Sequence, residues 1–95
     1  MITTDLYERA LKAFGEPHQI GIAIEELGEL VTALSRKHYR KRGTDAEVLS
    51  EIADAHIMLQ QLNLIYGVDN VKSMMHRKLN KLRLHVEKKE KENDA

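Results

Sequence analysis

Two short acidic pairs constrain this chain more than any other feature. Glu26-Leu27-Gly28-Glu29 and Glu51-Ile52-Ala53-Asp54 each set two carboxylates three residues apart inside an apolar segment of helical period. Side chains three apart share a helix face, with Cβ atoms roughly 5–6 Å apart, so each pair aims both carboxylates at one point. Two such helices packed side by side bring four carboxylates into a small volume. Like charges that close repel unless they are protonated or share cations, and four hard oxygen donors suit Mg²⁺ or Mn²⁺. Such a cluster is equipped to handle phosphate.

The rest of the pattern predicts helices throughout. Thr4 or Asp5 can cap a first helix running to about Phe14, with Leu6, Ala10, Leu11 and Phe14 on one face, and Gly15-Glu16-Pro17 breaks it. A second helix runs from about His18 to Tyr39, with Ile20, Ile24, Leu27, Val31 and Leu34 as its inward stripe. Thr44-Asp45-Ala46-Glu47 reads as a capping box for a third helix, which turns Val48, Ile52, Ala55, Leu59 and Leu62 inward and stops at Gly67. Asp69 or Asn70 can cap a fourth helix carrying Val71, Met74 or Met75, Leu79, Leu82 and Val86. The charged tail is expected to fray over residues 88–95. The expectation is an all-α fold, a four-helix bundle-like unit forming a single domain over 1–95. So small a chain leaves much of its surface exposed, and an oligomeric core, a dimer or tetramer, would complete it.

The acids border these seams. Ile22, Glu26, Glu29 and Ala33 form a second stripe on the second helix; Glu47, Glu51, Asp54, Met58, Gln61 and Ile65 form its counterpart on the third. A solvated helix face gains stability by mixing charge signs at four-residue spacing. Here no Lys or Arg follows Glu25, Glu26 and Glu29 until Arg36, and the third helix has neither. Acids without local cations call for a metal or a cationic partner. A di-iron carboxylate site would need Glu-x-x-His, which the chain lacks.

Composition narrows the classes further. Hydrophobic residues make up 42% of 95, the formal net charge is zero, and there is no cysteine. Disulfides and thiolate metal sites are excluded, and the missing bias towards positive charge argues against a nucleic-acid coat. No apolar run reaches the length of a membrane span, and Met1 to Asp5 lacks the basic and apolar regions of a signal peptide. The expected location is cytoplasmic.

The run Gln19-Ile20, then Ile24-Glu25-Glu26-Leu27-Gly28-Glu29-Leu30, then Glu51-Ile52-Ala53-Asp54, resembles the signature of the MazG-like all-α nucleoside triphosphate pyrophosphohydrolases. The likeness covers roughly residues 14 to 84 and is greatest to the small single-unit members. It implies Mg²⁺-dependent hydrolysis of a (deoxy)nucleoside triphosphate to the monophosphate and pyrophosphate, serving nucleotide pool house-cleaning, with Mn²⁺ as a possible substitute. It makes Glu26, Glu29, Glu51 and Asp54 metal ligands and assigns Glu25 to the outer sphere or to water activation. It places Gln19 and Lys78 with the substrate; Arg77 lies about 100° around the helix from Lys78, so Lys81 is the expected companion of Lys78 there. The phosphoribosyl-ATP pyrophosphohydrolase branch fits less well, because Gly21-Ile22-Ala23-Ile24 stands where that branch carries a Lys-Lys pair. The Asn80 spacing departs from the dCTPase-like branch and leaves the base open. The rival from another class is a non-catalytic helical interaction protein. It would bind a basic partner through the acids, or nucleic acid through Arg36, Lys37, Arg40, Lys41 and Arg42.

Overall fold

Turn chemistry divides the chain into helices. In the computed structural model, which describes residues 3–94, these are α1 (Thr3–Phe14), α2 (Glu16–His38), α3 (Asp45–Tyr66) and α4 (Val68–Asp94), with no strand among the described residues. Gly15, at φ 91, makes the sharp change of direction between α1 and α2. Pro17 occupies the first turn of α2, where its missing N–H costs nothing. The α2–α3 loop turns through Lys41 and Gly43, both at positive φ. Thr44 caps α3 as expected, its Oγ1 accepting the Glu47 N–H at 3.2 Å. No helix among the described residues is long and apolar enough to cross a membrane.

Two helix ends differ from the sequence pattern. Helix α1 already includes Thr4 and Asp5 in its first turn. Asn70 does not cap α4; its Nδ2 donates to the Tyr66 carbonyl at 3.0 Å, closing the end of α3 across Gly67. Helix α4 runs to Asp94, and Ala95 lies outside the described residues. Spaced charges support that last stretch: Arg83 Nη1 donates to Glu87 at 2.7 Å, and Lys89 lies 3.8 Å from Glu92.

The chain falls into two compact units, residues 1–65 and residues 66–95. In the first, the buried side chains are Gln19 and Ala23 of α2 and Ala55, Met58 and Gln61 of α3, and Gln19 bonds to Gln61 across the two helices. This corrects the expected seam. Ile24 is 68% exposed and Val31 63%, and Leu34, Ile52 and Leu59 are also exposed. The acid-bearing stripe faces the partner helix, and of the expected α3 seam only Ala55 is buried. Ala23 and Ala55 are small and buried, while Ile20 and Leu27 of the α2 apolar stripe are half-buried and Ile24, Val31 and Leu34 are exposed among the described residues. In the second unit α4 buries no residue, and Leu79, Leu82 and Leu84 are each more than half exposed.

Candidate metal centre

The packing of α2 on α3 turns the two acid pairs towards each other. One carboxylate oxygen from each of Glu26, Glu51 and Asp54 lies within 4.8 Å of the others. Glu29 lies near enough for its charge to act on both Glu26 and Glu51, as the charge of Asp54 does. The geometry is thus two facing carboxyl pairs, Glu26 with Asp54 and Glu29 with Glu51, one turn apart along the helices.

Electrostatics follow from that placement. Glu26 and Glu51 are half-buried as residues, yet Oε2 of each is shielded from solvent and meets no donor among the described residues. Burial pushes the Glu26 carboxyl above its ordinary value, and the charges of Glu29, Asp54 and Glu51 push it further. Glu51 is raised the same way, first by burial and then by Glu29 and Asp54. Ionised carboxylates accept hydrogen bonds and cannot donate them, so only a shared proton or a cation relieves each pair. A divalent ion fits the donor set. Metal–oxygen distances of about 2.1 Å span oxygen pairs up to roughly 4.2 Å, and the observed cluster needs only a small closing movement to reach that.

A cleft of about 290 Å³ opens beside the cluster, lined by Glu29, Thr32, Ala33, Arg36, Glu47 and Glu51. Arg36 brings the one cation of that lining. Its neighbour Lys37 instead pairs with Asp45 across the loop, at 3.1 Å and in solvent.

The other sequence candidates differ in burial. Glu25 is exposed, about 100° around the helix from Glu26. Gln19 is buried, its Nε2 donating to Gln61 Oε1 at 2.8 Å and its Oε1 facing His18 Nδ1 at 2.8 Å. Lys78 and Lys81 are exposed on α4, in the second unit. Gln61 carried no expected role beyond its stripe. Its signal was available, because Gln61 stands seven residues beyond Asp54 just as Gln19 stands seven before Glu26. No protein-family model, curated protein or solved structure matches the chain.

Proposed function

We propose that this protein is a Mg²⁺-dependent nucleoside triphosphate pyrophosphohydrolase of the MazG-like kind, hydrolysing its substrate with water to the nucleoside monophosphate and pyrophosphate. The observation that carries the reading is the meeting of Glu26, Glu51 and Asp54 within 4.8 Å, with Glu29 alongside. Such a concentration of acid is unfavourable for the protein alone and becomes favourable with a divalent cation.

In this reading Glu26, Glu29, Glu51 and Asp54 hold the metal. When bound, the ion neutralises triphosphate charge and polarises the phosphoryl oxygens. The side chains do the rest by position. Arg36, lining the cleft next to Glu29 and Glu51, receives phosphate oxygens through its guanidinium fork. Glu25 is the residue that the family resemblance offers for activating water. The uncovered apolar side chains of α2 and α4 support a homo-oligomer, because exposed apolar patches of this kind mark contact surfaces.

The test is pyrophosphate release from a panel of canonical and modified (deoxy)nucleoside triphosphates with Mg²⁺ or Mn²⁺. The expected result is equimolar monophosphate and pyrophosphate, abolished by chelator. Folded protein that releases neither from any member of the panel overturns the enzymatic reading and returns the chain to the class of binding proteins.

A further inference from the structure

Four like charges facing one another cannot select the helix register that makes them face. Sliding α3 by one turn, about 5.4 Å, so that Met58 stands opposite Glu26 would set Ala55 opposite Glu29 and relieve repulsion, whereas the opposite slip brings Glu47 to Glu29. Something else must therefore hold α2 and α3 in register. The Lys37–Asp45 ion pair stands at the loop end but is solvent-exposed, and such pairs contribute little. Ala23 and Ala55 are too small to discriminate one turn from the next.

We propose that the buried Gln19–Gln61 amide pair is a register lock that positions the carboxylates. Gln19 is 7% exposed and Gln61 4%, and they are the buried polar side chains of the helix contact. Both amides are engaged. Gln19 Nε2 donates to Gln61 Oε1 at 2.8 Å, Gln61 Nε2 faces the Ile57 carbonyl and Met58 Sδ, and Gln19 Oε1 faces His18 Nδ1. Seven residues along each antiparallel helix, two turns from this pair, Glu26 meets Asp54; three more bring Glu29 to Glu51. A one-turn slip in either direction sets Ile57 or Ile65 opposite Gln19 and leaves a buried amide unpaired. An unsatisfied buried amide is costly, whereas a paired one is tolerated, and single buried polar residues are known to fix helix register in this way. The pair thus opposes the slip that the carboxylates favour. Its value to the chemistry rests on the metal-holding reading above; the register itself does not.

Cysteine cross-linking tests it, since the chain has no native cysteine. In a Glu29→Cys/Glu51→Cys protein the facing positions form an intramolecular disulfide under mild oxidation, with no metal present. Adding Gln19→Met and Gln61→Met, which keep bulk but remove the amides, is expected to slow that disulfide at least fivefold while helicity is retained. Adding Gln61→Glu instead keeps an oxygen for the Gln19 donor and is expected to hold the native rate. In the otherwise native chain, Mn²⁺ affinity measured by electron paramagnetic resonance is expected to fall at least tenfold with both methionines. Equal cross-linking rates with and without the amides overturn the proposal, and so does a double-methionine protein that fails to fold, because the pair then holds the whole fold. Native protein that binds no Mn²⁺, with the cross-linking difference intact, sinks the metal reading and leaves the register lock standing.

Discussion

The two ends of the α2–α3 contact solve the same problem in opposite ways. At one end Gln19 and Gln61 bury two amides and give each its partners. Two helical turns away, Glu26, Glu29, Glu51 and Asp54 bring acids together with no donor for Glu26 Oε2 or Glu51 Oε2 among the described residues. A neutral polar pair that satisfies itself stabilises the contact; an acidic cluster that cannot do so stores repulsion until a proton or cation arrives. The difference separates a structural use of buried polarity from a functional one, within a single interface.

The largest expected effect comes from converting one end into the likeness of the other. Glu51→Gln removes a ligand and supplies an amide donor to Glu29. Turnover should fall by more than the roughly 10–100-fold that loss of an outer-sphere partner costs at metal sites, while the metal-free melting temperature rises. The mirror change, Gln61→Met, leaves Gln19 Nε2 unpaired and should cost about 1–3 kcal/mol of stability. Chemical denaturation of both variants without metal measures the contrast. Two changes of the same sign would break it.

The second expectation concerns pH and metal. The folded pKa values of Glu26 and Glu51 are raised above the ordinary 4.5, by burial first and neighbouring acids next. The fold therefore favours their protonated forms. That contribution is fully present below about pH 4.5 and is lost as pH rises through the raised values. Metal-free protein should lose melting temperature across that interval. Mg²⁺ or Mn²⁺ should restore it at neutral pH, by about 2.7 kcal/mol at a hundredfold excess over Kd. A melting temperature that ignores both pH and metal would remove the distinction between the two ends.

Much of the carboxylate end was legible in the sequence. Acid pairs at three-residue spacing on helices joined by a short loop place their side chains on single faces, and Thr44 and Gly67 punctuate α3 where turn chemistry requires. The face that α2 offers to α3 was not legible. Periodicity favours the bulky stripe of Ile24, Val31 and Leu34, whereas the contact within the chain uses small alanines and amides that carry little hydropathy. Helix α3 is apolar on several sides, with Ile57 and Leu59 exposed and Ala55 and Met58 buried, so its pattern names no unique inward face. The role of Gln61 was hidden for the same reason, because a glutamine reads as surface until its partner is known.

The smallest expected effect lies at the rim of the acidic end. Arg36 shares a cleft with Glu29 and Glu51, and in the proposed reaction it receives phosphate oxygens. Its exposure means that solvent and salt screen the interaction, so the loss should be modest. Arg36→Ala should raise KM by about tenfold, about 1.4 kcal/mol, with kcat little changed. Arg36→Lys should recover only part of that, since an ammonium lacks the two-pronged donor geometry of a guanidinium. The effect should shrink as ionic strength rises. A KM unchanged at low salt would detach Arg36 from the substrate and leave the carboxylates as the only functional part of that end. A fall in kcat at constant KM would instead place the guanidinium against charge that develops during the reaction. Measuring both constants for the two variants at two salt concentrations separates these outcomes.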